Sequence, residues 1–241
     1  MRATHITDAT GRDSVATMLE IPMALESLTP GRFRDLVRER LVANARIEPP
    51  DPTQPLGIPS DFDLNPEALA DWPVDSPAKP AAVLVPVIAR SPLTVLLTRR
   101  ADDLPAHAGQ IAFPGGRPQP EDRDLLETAL REAEEEVGLD RHRIEPLGML
   151  ETYRTGTGFA VTPILGLVAA DSEIRPNPRE VSQIFEVPLA FLMNSANHII
   201  HERVLGGRAR RFYAMPYGEH YIWGATAGIL RHMQQRLFRS P

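Results

Sequence analysis

The sequence contains no cysteine. That excludes disulfides, thiolate nucleophiles and cysteine-ligated zinc, and leaves the chemistry to carboxylates, hydroxyls, imidazoles and cations. Aromatic residues are scarce, 6% of the chain with only two tryptophans. No apolar run approaches the roughly 20 residues that a membrane-spanning helix needs. The first thirty residues mix Asp, Thr, Arg and His with apolar residues and hold no secretion-signal core. A soluble, cytoplasmic protein without a membrane partner is expected. Positive charge is also short. The net charge of −6 argues against a nucleic-acid binder held by phosphate contacts. An acidic chain that takes anionic substrates needs local cations or bound metal to offset repulsion. What remains is ordinary: 42% hydrophobic and 24% charged residues over 241 positions. That is enough for a real core in one large domain or two small ones.

Proline is the one abundant special residue, and it divides the chain. Residues 1–80 are expected to form an N-terminal helix followed by a proline-rich arm. Thr29 suits a helix cap and Pro30 its first position. Leu28 and Phe33 stand where a hydrophobic staple would sit, and Phe33, Leu36, Val37 and Leu41 make one apolar face. Nine prolines between Pro49 and Pro80 rule out a long helix or central strand there. Leu64, Leu69 and Trp72 point to partial packing of this arm on the rest.

Residues 81–241 are dense in regular structure. Ala81 to Ala89 and Thr94 to Thr98 read as strands joined at Arg90-Ser91-Pro92. A short strand at Ile111 to Phe113 lies in a glycine-bounded loop. Asp124 to Val137 is a helix closed by Gly138. Leu147 to Tyr153 and Val161 to Ala169 read as strands, Leu189 to Met193 as a short helix, and 198 to 216 as a hairpin turning at Gly206-Gly207. Ile222, Ile229, Leu230, Met233 and Leu237 read as the stripe of a last helix. Strands interleaved with helices imply an α/β domain with a mixed sheet.

The helix from Asp124 to Val137 carries the densest chemistry. At about 100° per residue, Leu126, Ala129, Leu130, Ala133 and Val137 form its core face. Glu132 and Glu136 lie about 40° apart on one flank, with Glu135 on the same side and Glu134 on the other. Like charges one turn apart repel. A divalent cation among Glu132, Glu135 and Glu136 reverses that sign, and Mg²⁺ bridges carboxylates to substrate phosphates. Arg131, within reach of Glu127 and Glu135, is placed to orient such a carboxylate. A glutamate run is ordinarily a solvated face, so the flanking residues decide.

Gly115-Gly116 precedes the helix and Gly138-Leu139 ends it. With Arg131, Glu132, Ala133, Glu135 and Glu136, these residues resemble the Nudix box. Gly116 to Arg131 is one residue longer than in that family. Its glutamate after the glycine is replaced by Asp122, a shorter acid suited to capping the helix. Upstream, Leu96 to Ala101, Gly109 and Phe113 to Gly116 resemble the extra motif of the coenzyme A diphosphatases. Further likenesses are Gly158 to Gly166, Phe185 to Leu192 and Tyr221 to Leu230, so the resemblance spans about residues 80 to 235. Pro105 stands where that motif has an arginine.

The resemblance implies a Nudix α/β/α sandwich and a Mg²⁺- or Mn²⁺-dependent hydrolase with Glu132, Glu135 and Glu136 as ligands. The substrate is then a nucleoside diphosphate derivative of the coenzyme A type, and a homodimer fits the family. Arg99, Arg100, Gly115 and Gly116 are the substrate-binding candidates, since glycines let the backbone approach phosphates. Glu180 is a candidate base on a loop, and His107 reads as a structural loop histidine. Tyr221 and Trp223 read as core at helical spacing rather than as a base-stacking pair. Two rival readings are a Nudix hydrolase of another substrate, a dinucleotide or nucleotide sugar, and a non-catalytic ligand-binding module.

Overall fold

The structure, a computed structural model, describes residues 25–41, 58–71, 78–104, 107–205 and 207–238. Pro105, Trp72 and most of the proline-rich arm lie outside them, as does the side chain of Leu69.

The centre of the fold is strand β1 (Lys79–Ile88), which turns through Arg90-Ser91-Pro92 into the antiparallel strand β2 (Thr94–Arg100). Short strands β3 (Ile111–Ala112) and β4 (Gly115–Gly116) pair with β2 and β1. Beyond them the chain crosses the sheet in helix α2 (Leu125–Val137) and returns as β5 (Ile144–Met149) and β6 (Tyr153–Arg154). Strand β7 (Phe159–Val168) then lies parallel to β1 along its whole length, from Lys79↔Phe159 to Ile88↔Val168. Such a parallel pair needs a long crossover, which α2 provides. Strand β8 (Val181–Pro188) closes against β2. The sheet is therefore mixed, ordered β3-β2-β1-β7-β5, with β4, β6 and β8 off that path. The last parts are α3 (Leu189–Met193), the three-stranded sheet of β9 (Ile199–Leu205), β10 (Arg208–Tyr217) and β11 (His220–Trp223), and α4 (Ala225–Phe238).

Both faces of the main sheet are covered, which explains why β1 and β7 are apolar almost throughout rather than alternating. On one face, Ala129, Ala133 and Val137 of α2 pack on Ala82, Leu84, Leu96 and Ile164. On the other, Phe33, Val37 and Leu41 of helix α1 (Pro30–Leu41) join Ile229, Leu230, Met233 and Leu237 of α4 over Val85, Val95 and Leu165. Thr29 begins α1 by accepting from the Arg32 amide at 3.3 Å, and Leu28 packs on the core beside it. Arg34 forks onto Glu145 of β5 at 2.7–2.9 Å, which ties the helix to the sheet edge. Among the described residues no helix is long and apolar enough to cross a membrane.

Two expectations are corrected. Ile222 is not part of the last helix. It is buried on β11, and Gly224, at φ +64°, turns the chain before α4 starts at Ala225. The segment read as one strand from Leu147 to Tyr153 is two: β5 starts earlier, at Ile144, slips register between Pro146 and Gly148, and ends before β6.

Candidate active site

The site is built where the start of β1, the glycine loop and α2 meet. Asp124 caps α2 by accepting from the Glu127 amide at 2.8 Å, and Gly138 ends it in the left-handed conformation with its amide on Glu134 O. These two stops fix the helical phase. Ala129, Ala133 and Val137 are buried against the sheet, so Glu132 and Glu136 are carried along one edge of the contact. Gly115 and Gly116 pair with Val83 and Ala82 just beneath. A Cβ on Gly115 would stand 2.4 Å from Ala82 O, and one on Gly116 would stand 2.4 Å from a Glu132 carboxylate oxygen. Backbone atoms therefore exclude a side chain at Gly115, whereas a side chain at Gly116 would displace the Glu132 carboxylate from its place.

Glu136 is 4% exposed. Its carboxylate accepts from the Gly115 amide at 3.3 Å, and Arg100 Nη1 is 3.9 Å away. Burial, reinforced by the charge of Glu132, pushes its pKa up to about 8 against the pull of Arg100 and Gly115. Burial likewise raises Glu132, whose hydrogen bond from Arg131 works the other way while Glu135 and Glu180 add repulsion. Glu180 acts on both groups from the loop before β8, where its carbonyl accepts from the Ala101 amide.

Arg131 is the brace of this cluster. One nitrogen donates to Glu132 at 2.9 Å and to Glu135 at 3.1 Å, while Nε and Nη2 both donate to Asp122 at 2.9 Å. Asp122 also accepts from the Gln119 amide and the Thr128 hydroxyl. It does not cap the helix, as its position suggested; Asp124 does, which frees Asp122 to anchor Arg131. The fork from Arg131 holds the Asp122 carboxyl far below the ordinary carboxylate range. Asp122 and Arg131 therefore stay charged and fixed, Glu132 shares Arg131 with them, and Glu136 is left with the weakest compensation of the cluster.

Residues 78–205 match the NUDIX domain family. The chain belongs to the Nudix family. It is 44% identical over 157 residues to the uncharacterized Nudix hydrolase NudL of Yersinia enterocolitica, a match spanning 65% of this chain and 80% of that protein. The NudL of Yersinia pestis is 45% identical over 157 residues, spanning 65% of this chain and 79% of that protein. Among solved structures, the Nudix domain of Shewanella oneidensis NrtR, complexed with ADP ribose, aligns with a TM-score of 0.38 and 23% identity, covering 52% of this chain and 84% of that one.

The other Nudix-site candidates are placed unevenly. Arg100 stands 3.9 Å from the Glu136 carboxylate, but Arg99 turns to Asp102 at 3.3 Å and is about half exposed. Glu135 is half exposed and touches the cluster through Arg131. Glu134 pairs with Arg141 on the far flank at 2.8 Å. Glu127, within helical reach of Arg131, bonds instead to Arg123. His107 holds Gln110 at 2.9 Å within its loop. Among the described residues no three His, Asp or Glu side chains are gathered as a ready-made metal cage.

One feature escaped sequence reading. A cavity of about 460 Å³ opens between the segment 58–71, the turn after β6 and the strands β10 and β11. Trp223 lines it from a strand rather than a helix, with Phe212 at a ring-centroid distance of 5.2 Å. The period-two signal of β11 is only four residues long and merges with the apolar stripe of α4.

Proposed function

We propose that this chain hydrolyses the diphosphate bond of coenzyme A or its thioesters, releasing 4'-phosphopantetheine and adenosine 3',5'-bisphosphate. The observation that carries the reaction class is the pair Glu132 and Glu136 carried on one edge of α2, both raised by burial, with the Glu132 carboxylate against Gly116 and that of Glu136 against the Gly115 amide.

The donor set fits a hard divalent cation. It consists of carboxylate oxygens only, and burial and mutual repulsion destabilise their charged forms, which a cation relieves. Glu132, Glu135 and Glu136 are the residues that would hold Mg²⁺ or Mn²⁺. When bound, such ions neutralise charge on the diphosphate oxygens and lower the pKa of a water. The chain's own residues do the rest. Arg131, locked by Asp122, orients Glu132 and Glu135. Gly115 and Gly116 let the diphosphate approach the backbone. Arg100 brings a cation to the same mouth for a phosphate oxygen. Water oxygen bonds to one phosphorus, the bond from that phosphorus to the bridging oxygen breaks, and the other phosphate leaves with that oxygen. Glu180, on the loop whose charge acts on both Glu132 and Glu136, takes the proton of the water.

The finer substrate assignment is supported by the motif from Leu96 to Gly116 rather than by the glutamates. Pro105, in place of an arginine, favours a second reading, a Nudix hydrolase of a dinucleotide or nucleotide sugar. The test is a rate comparison on coenzyme A, dephospho-coenzyme A, NADH and ADP-ribose, each with Mg²⁺ or Mn²⁺ and with product identification. Coenzyme A is expected to be cleaved fastest, between its two phosphates. Faster turnover of NADH or ADP-ribose would replace the first reading with the second. No metal-dependent cleavage of any of the four would remove both in favour of a binding module.

A further inference from the structure

The aromatic cavity stands at the same end of the sheet as the glycine loop. Tyr153 on its wall pairs with Val161 of β7, Val161 with Ala81 of β1, and the neighbouring Ala82 with Gly116. Three strand spacings separate the two places, roughly 14 Å, a distance that an extended nucleoside diphosphate derivative covers. A second link runs through the β11–α4 turn. Gly224 lines the cavity, and the Thr226 hydroxyl donates at 3.0 Å to the carbonyl of Ile111, just before the glycine loop.

The lining is chemically mixed. Trp223 and Phe212 line it with aromatic surface, and the Arg203 guanidinium lies over both rings at 5.3 and 5.7 Å. Asp61 accepts from the Tyr153 hydroxyl and the Gly156 amide, each at 2.8 Å and each on a different oxygen, so both oxygens retain lone pairs. Among the described residues, Arg210 Nη1 is buried with no hydrogen-bond partner, and its ion-pair partner Glu67 is 3.9 Å off, beyond hydrogen-bonding distance. Leaving a buried guanidinium donor unpaired costs free energy unless a ligand supplies the acceptor. An alkyl chain would use the rings but leave the carboxylate and the cation unused. A purine nucleotide uses all three: its ring on the aromatics, an exocyclic amino group on Asp61 and a phosphate on Arg210. The volume is within the range of small-molecule sites.

We propose that this cavity is the nucleoside subsite of the enzyme, with Trp223, Asp61 and Arg210 recognising the base and a phosphate remote from the bond that is cleaved. The proposal rests on the diphosphate-hydrolase reading but is tested separately from it. Binding of adenosine 3',5'-bisphosphate and of ribose 5-phosphate to the full chain is measured by calorimetry, then repeated with Arg210→Ala, Asp61→Asn and Trp223→Leu. The bisphosphate is expected to bind at least about tenfold more tightly than ribose 5-phosphate, and each variant to weaken it by about tenfold. Thermal melts identify any variant that fails to fold. Arg210→Ala, at a partly exposed position, is the one that keeps the test decisive. In turnover, the three variants raise KM for the nucleotide substrate with kcat nearly unchanged, and leave an alkyl diphosphate lacking a base unaffected. Equal binding of the two probes, unchanged affinity in folded variants, or 4'-phosphopantetheine binding that depends on the same three residues would overturn the subsite. The expected loss of binding in the variants with no turnover on any diphosphate would instead sink the hydrolase reading and leave the cavity a nucleotide-binding site.

Discussion

Two carboxylate clusters, one under α2 and one under α4, show opposite uses of buried acid. Under α4, Glu151 is met by His232 at 2.7 Å and by Arg236 at 2.8 Å. Burial by itself would raise the Glu151 carboxyl, yet the His232 hydrogen bond and the neighbouring positive charge hold it at about 2. Under α2, Glu136 is buried more deeply and, among the described residues, finds only a distant Arg100 and one amide, so its pKa rises to about 8. The first cluster is compensated and fastens α4 to the loop between β5 and β6. The second is left in deficit, and a deficit of positive charge is what gives a divalent ion or a phosphate-bound cation its affinity. Strong fixed pairing is still present there, but one layer back, in Arg131 and Asp122.

The sharpest way to break this contrast is Glu136→Gln. Turnover is expected to fall by at least about a hundredfold, while the metal-free protein at pH 7 melts a few degrees higher because folding no longer has to protonate a buried carboxyl. An active variant, or a less stable one, would mean that Glu136 belongs with the compensated kind. Arg131→Lys comes next. Lysine cannot fork onto Asp122 and still reach Glu132 and Glu135, so activity should drop by about tenfold to a hundredfold. Stability should fall as well, measured by urea titration, because Asp122 loses its fork. The smallest effect is Glu151→Gln, expected to cost about 1–3 kcal/mol with kcat preserved. The sign of its pH dependence follows from a depressed carboxyl. The stabilisation by Glu151 is complete above its ordinary value of 4.5 and is lost as the pH falls towards about 2. A melting series from pH 6 to pH 2 should therefore be steeper for the wild type than for the variant; parallel curves would remove the cluster from the account of stability.

Legibility followed the range of the interactions. Helix α2 is readable because its cap, its 3.6-residue period and Gly138 are all local, and they separate Glu134 from the other glutamates on sequence grounds alone. The mixed sheet was readable from short apolar runs between turn residues. Asp122 was misread because its partner Arg131 lies nine positions on, beyond helix periodicity, and a short acid before a helix resembles a cap. Ile222 was misplaced because an apolar residue on a four-residue strand falls by chance in phase with the helix after it. The aromatic cavity was not legible at all. Its wall depends on Asn65, whose partner Arg211 is 146 positions away.

That asparagine has a consequence for how such an enzyme changes over time. Asn65 donates to the carbonyl of Arg211 and accepts from its amide, both at 2.8 Å, so one side chain does what a neighbouring strand would do. The segment is therefore tacked to β10 at a point instead of zipped along it. Lengthening or shortening the stretch on either side demands no shift of register in the sheet. The pocket wall can be retailored across generations while the carboxylate helix, anchored elsewhere, is left undisturbed.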